Sequence, residues 1–222
     1  MTQGGAYGNY WERKRLLAGG VPPFPIRRWW ESAELSDIER VCFDAVKDAA
    51  SLLDVGAGDL RVKRKFEAAG FSGEYHTQDV GPEYPHTYRD LAQVTRRYDA
   101  ILCFDVIEHL PLDEGLELLD RLVELLEPGG VLVVQTPNAR CIRSPMGWDM
   151  THLHSYNIAD LWAYLTAAGL ETQGYRVVFG PARRSPVQRL RSALHAFVAT
   201  RLLGADYADN VVAIGRKAAP AP

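Results

Sequence analysis

Residues 51–60 read Ser51-Leu52-Leu53-Asp54-Val55-Gly56-Ala57-Gly58-Asp59-Leu60. An apolar run of strand length enters a tight glycine turn, and a helix-forming stretch follows. Glycines lack a Cβ, so the backbone can approach a ligand there, and such strand-to-helix turns hold nucleotide-like cofactors. Outward from this turn the chain alternates. Strands are expected at 51–55, 73–79, 98–104, 131–136, 170–179 and 210–216, with helices at 33–50, 59–69, 113–127 and 157–168. In the first helix Leu35, Ile38, Val41, Cys42, Ala45 and Val46 share one face, and Ser32 or Ser36 is placed to cap it. Gly70 stands where the second helix should end. A basic amphipathic helix is expected at about 184–203. Residues 80–94 are too short and too proline-broken for a full crossover.

This order predicts an α/β, Rossmann-like, doubly wound sheet, mostly parallel, with helices on both faces. One domain is expected over 1–222. Its N-terminal extension (1–50) serves as a lid or helical cover, and its core (51–216) carries the helical insertion at 184–203.

The composition limits the partners. The 222 residues are 47% hydrophobic and 24% charged, with a net charge of -3, so no global field draws in nucleic acid or an anionic membrane. Three cysteines make neither a metal spacing nor an even disulfide set, which suits a cytoplasmic protein. The N-terminus shows no signal-peptide core, and no apolar run reaches bilayer length.

The turn itself selects among cofactors. A nicotinamide site wants Gly-x-Gly-x-x-Gly, but the third position here is Arg61. Asp59 would repel a pyrophosphate. S-adenosylmethionine fits better, since it offers a sulfonium, an ammonium and a ribose diol and carries no phosphate. Asp79, after the second strand, can accept two hydrogen bonds from that diol; the plainer reading is a solvated turn aspartate. "YDAILCFDVIEHLP" (98–111) brings Asp105, Glu108 and His109 to the same sheet edge, and "LLEPGGVLVVQTPN" (125–138) reads as helix end, turn and buried strand.

Together these segments resemble the class I S-adenosylmethionine-dependent methyltransferases, in particular the small-molecule branch with the ubiquinone-pathway O-methyltransferases and the sugar methyltransferases. The resemblance covers roughly residues 50–180 and, more loosely, the last strand. It implies a seven-stranded sheet with an antiparallel last strand. It also implies a cofactor site of Asp54, Gly56, Ala57 and Gly58 at the methionine end, Asp79 and Val80 at the ribose, Asp90 and Leu91 beside adenine, and Phe104 and Asp105 after the fourth strand. The third glycine usual in such a turn is replaced by Leu60.

The function expected is methyl transfer to a small-molecule hydroxyl, of a sugar, phenol or secondary metabolite. N- or C-methylation, or a non-catalytic protein that keeps the fold, are the alternatives. The base candidates lie in "WDMTHLHSYN" (148–157): His152 and His154, with Asp149 to orient one of them or to bind substrate. The alternative is that a histidine only shapes the loop. The spacing of Asp149, His152 and His154 matches no usual zinc set, so no metal is expected. His109 reads as structural. Tyr7, Tyr10, Trp11, Trp29 and Trp30 suggest an aromatic lid, or else packing of the first helix on the sheet. Arg176, Arg183, Arg184, Arg189, Arg191 and Arg201 offer recognition of an anionic substrate group, or a solvated face. Neither nucleic acid nor a membrane is expected as a partner. Phe104-Asp105-Val106-Ile107 lacks the proline pair of DNA amino-methylating enzymes. The chain is expected as a monomer or homodimer.

Overall fold

The computed structural model describes residues 9–219. One sheet is built from β1 (Ile26–Trp29), β2 (Ser51–Val55), β3 (Glu74–Gln78), β4 (Tyr98–Phe104), β5 (Leu126–Pro137), β6 (Leu170–Phe179) and β7 (Asn210–Lys217). The strand order is β1-β6-β7-β5-β4-β2-β3. β7 runs antiparallel to β5 and β6, and every other pair is parallel.

The expected architecture is therefore present, but its seventh strand comes from an unexpected place. The abbreviated crossover 79–97 supplies only a bridge between Gln78 and Tyr88. β1 lies in the stretch that reads as a proline loop and pairs with β6 at the opposite edge of the sheet. It is four residues long and preceded by Pro25, a sequence that only an edge strand tolerates.

The helices are α1 (Tyr10–Ala18), α2 (Asp37–Val46), α3 (Arg61–Ala68), α4 (Leu112–Glu124), α5 (Ile158–Ala167) and α6 (Pro186–Phe197). Successive side chains of a strand point to opposite faces, so the buried runs feed two cores. Leu52, Leu102 and Val133 meet Phe43 of α2 and Phe66 of α3. Leu53, Ile101 and Leu132 meet Leu119 of α4 and Leu165 of α5. α2 starts at Ser36 rather than Ser32; Glu39 accepts the Ser36 N–H at 2.8 Å and so closes the first turn. Gly70 follows α3 with φ 104°, the conformation expected of a helix-ending glycine. α1, absent from the expected elements, lies against α5.

Candidate functional site

β3 lies on one side of β2 and the later strands on the other. The strand order thus reverses between β2 and β4, and the crevice at their carboxyl ends is where a doubly wound sheet takes its ligand. The glycine turn sits there. Gly56 has φ 73° and Gly58 φ 46°. A Cβ on Gly56 would overlap Cγ2 of Val106 just past the end of β4, whereas one on Gly58 would meet nothing nearer than the Gly56 carbonyl oxygen at 4.0 Å. The Gly56 and Ala57 N–H groups donate to the Gln78 carbonyl at 2.8 and 3.1 Å, which ties the turn to β3. Asp79 closes over it: one carboxylate oxygen accepts the Gly58 N–H at 2.8 Å and the other the Gly81 N–H at 2.7 Å.

Asp54 lies beneath this turn, 2% exposed, and accepts the Tyr75 hydroxyl at 2.8 Å. Burial pushes its carboxyl up to about 7, and the nearby Asp79 charge adds to the rise while the Tyr75 bond opposes it. Val80 points into solvent. Asp90 accepts the Ala92 N–H at 2.9 Å and caps the short 91–93 turn, and Leu91 packs on the core. The Tyr88 carbonyl accepts the Asp79 N–H, so this segment does run alongside the end of β3.

At the end of β4, Phe104 packs toward α2, and Asp105 takes φ 55°. The Asp105 carboxylate accepts Gln135 Nε2 at 2.8 Å and Asn210 Nδ2 at 3.2 Å, joining β4, β5 and β7. Surrounding protein raises its carboxyl, and the Gln135 bond, Arg61, His109 and His152 counter that rise.

His152 belongs to this cluster. Its Nδ1 lies 2.8 Å from the Pro145 carbonyl oxygen. A carbonyl only accepts, so Nδ1 carries the proton and Nε2 keeps its lone pair. His109, which the sequence suggests is structural, is set the same way. Its Nδ1 lies 2.8 Å from Thr151 Oγ1, whose hydroxyl proton is already given to Asp149 at 2.7 Å. Asp149 thus orients His109 through Thr151. Hydrogen bonds from Thr151 hold its carboxyl below the usual range. The two imidazole centroids are 4.9 Å apart. Between them and the core lies Glu108, 1% exposed, with one oxygen on Thr136 Oγ1 at 2.9 Å and the other unpartnered. Burial pushes its carboxyl up to about 8, with the Asp105 charge the second cause. One ligand atom from each of Glu108, His109 and His152 falls within 4.8 Å of the others, so among the described residues this trio, not Asp149, His152 and His154, is the set that can hold a cation.

His154 lies apart. Its ring stacks edge-on against Tyr156 at 4.8 Å and lines a cavity with Tyr10, Arg13, Leu116 and Tyr164. Burial lowers its pKa. Of the expected lid aromatics, Tyr10 faces that same cavity and Trp11 is exposed. Trp29 lies 5.0 Å from Phe179, Trp30 lies under the Arg28 guanidinium, and Tyr7 is outside the described residues. Arg176 is paired with Asp206 at 3.2 Å and so is not part of a free basic set.

The glycine turn and an acid–histidine cluster both lie at the carboxyl ends of the strands of a doubly wound sheet, which defines a Rossmann-like α/β protein. The chain belongs to the methyltransferase-domain family, whose model, described as "Methyltransferase domain", matches residues 28–173. No protein of curated function matches the sequence. Solved structures share the fold at low identity. A SAM-dependent methyltransferase from Archaeoglobus fulgidus aligns with TM-score 0.60 at 16% identity, covering 80% of this chain and 90% of its own. A putative methyltransferase from Bacillus halodurans gives 0.54 at 15%, covering 82% and 99%. A Burkholderia thailandensis 1,6-didemethyltoxoflavin-N1-methyltransferase, solved with S-adenosylhomocysteine, gives 0.54 at 18%, covering 81% and 76%.

Proposed function

We propose that the protein is an S-adenosylmethionine-dependent methyltransferase that methylates a hydroxyl of a small molecule. The observation that carries this reading is the pair of imidazoles near Asp105 at the end of β4, each with Nδ1 committed to an acceptor. When bound, the cofactor supplies an electrophilic methyl group on a sulfonium leaving group. Asp79 takes the ribose diol, Gly56, Ala57 and Gly58 present backbone to the methionine part, and buried Asp54 gives the turn a negative floor once the ligand's ammonium draws it into its ionised form. His152 Nε2 would accept the acceptor's hydroxyl proton and so ready that oxygen for the methyl group the cofactor would supply. Alignment by the chain accounts for most of the rate, and the base adds about 10²–10⁴-fold. The toxoflavin enzyme among the fold neighbours supports a small-molecule acceptor, although its methyl goes to nitrogen.

The test couples binding to turnover. S-adenosylhomocysteine should bind the wild-type protein and His152→Ala equally, while Asp79→Asn weakens it about 10²-fold, because one acceptor becomes a donor and the other loses its charge. A panel of phenols and hydroxylated sugars is then screened for methylation. His152→Ala should lose at least about 10²-fold in kcat on any acceptor found; undiminished turnover removes His152 as the base. The cation-holding geometry of Glu108, His109 and His152 favours a second reading, in which a divalent ion binds the acceptor oxygen. Activity lost to a chelator and restored by a divalent ion would select it.

A further inference from the structure

α6 is the one helix of the second half of the chain that buries none of its side chains. Yet its sequence is amphipathic. Val187, Leu190, Leu194 and Phe197 recur at spacings of three and four, which puts them on one face. They are 55% to 76% exposed, and Leu202 and Leu203 extend the apolar surface beyond the helix. A helical face of this kind normally packs on a core.

The charge on the same element is one-sided. Between 183 and 203 there are five arginines, Arg183, Arg184, Arg189, Arg191 and Arg201, and no carboxylate. Three of them converge at the helix start with Arg28 of β1 around one open cavity. Arg184 and Arg189 act on Arg28 as like charges, and Asp37 is the carboxylate that partly balances them. On its inner side α6 roofs a second cavity of about 590 Å³, where Leu194 of this row turns toward Ile142, Val178 and Phe179, so the outward part of the row is Val187, Leu190 and Phe197.

We propose that α6 docks the protein on an anionic bilayer surface, with Val187, Leu190 and Phe197 entering the interface and the arginines on the lipid phosphates. Charge decides among the possible occupants of this face. A two-fold interface would set the same five arginines against their copies, which repel. An interfacial helix needs this combination of apolar row and basic flank. The overall charge of -3 does not oppose docking, because screening confines the interaction to about a Debye length around the helix. Among the described residues no helix is long and apolar enough to cross a membrane, so the contact is peripheral.

The experiment is sedimentation of the full chain with vesicles of phosphatidylcholine alone, or with about a third phosphatidylglycerol. Wild-type protein should partition at least about tenfold more strongly onto the anionic vesicles and be released by salt. Val187→Ser with Leu190→Ser should lose about tenfold, as should Arg189→Ser with Arg191→Ser, at unchanged S-adenosylhomocysteine affinity and melting temperature. Equal binding to both vesicles, binding to neither, or variants that bind like wild type would overturn the proposal. Two further results count against it. One is a dimer in sedimentation velocity that Leu190→Ser dissolves while vesicles stay unbound. The other is binding of inorganic phosphate without vesicle binding, which marks a simple anion site.

Discussion

Leu60 occupies the third position of the glycine turn with φ 63°, a left-handed conformation that costs an L-residue about 1–2 kcal/mol. The backbone thus keeps the shape a glycine would give it, although the side chain has changed. Leu60→Gly should therefore be more stable than Leu60→Ala by about 1 kcal/mol in urea unfolding. Equal stabilities would mean that the turn relaxes and the strain is not held. Asp54 makes a second residue-scale statement. Its folded carboxyl titrates near 7, above the ordinary range of an unfolded aspartate. Between those limits the folded chain keeps a proton that the unfolded chain has lost, so stability falls as pH rises through that window. The ligand-free protein should melt lower at pH 8 than at pH 6, and Asp54→Asn, which keeps an acceptor for Tyr75, should reduce the difference and leave the share due to Glu108. Cofactor binding should show the opposite trend. The ligand's ammonium favours ionised Asp54, so S-adenosylhomocysteine should bind about tenfold more tightly at pH 8 than at pH 6. A flat calorimetric profile would separate Asp54 from the ligand.

At the scale of elements, α2 and α3 are fastened by a buried charge group. Lys65 Nζ lies 2.9 and 3.1 Å from the two Glu39 oxygens, and Arg61 Nη1 lies 3.0 Å from one of them. Lys65→Met should destabilise by about 3 kcal/mol, because Glu39 stays buried with half its compensation gone. The double variant with Glu39→Gln should recover most of that loss, and failure to recover would show that Lys65 matters through packing rather than charge. This pairing is invisible in the sequence, since the partners are 26 residues apart. The strands were legible where burial demands apolar runs, as in β2, β4 and β5. β1 was not, because an edge strand of Ile-Arg-Arg-Trp needs no apolar period. The site divides the same way. Gly56, Gly58, Asp79 and Asp105 stand at the ends of legible strands, so their meeting follows from the fold. The pairing of His109 with His152 depends on the loop 139–157 folding back until the Leu153 and His154 N–H groups reach the Glu108 carbonyl at 2.8 and 3.1 Å. No local pattern encodes that return, although the adjoining Asp105, Glu108 and His109 at one strand end were its available signal.

The whole molecule places an edge of its sheet and an irregular crossover beside its candidate cofactor site. β4, β5 and β7 are central and paired on both sides. β3 is an edge strand, and the 79–97 crossover that follows contains only one short 3₁₀ turn. Local opening follows such differences in pairing. In hydrogen exchange the central strands should therefore open only with global unfolding, and residues 74–97 should exchange well before them. The glycine turn leans on this weak side, since its N–H groups at Gly56, Ala57 and Gly58 are held by Gln78 and Asp79. A ligand that bridges Asp79 and the turn must then stiffen both together. S-adenosylhomocysteine should add protection at 56–60 and 79–81 well beyond its effect on β5 or β7, and Asp79→Asn should remove it from both segments at once. Protection that appears instead around α6 and the cavity beneath it would move the cofactor away from the switch point, and with it the methyl-transfer site.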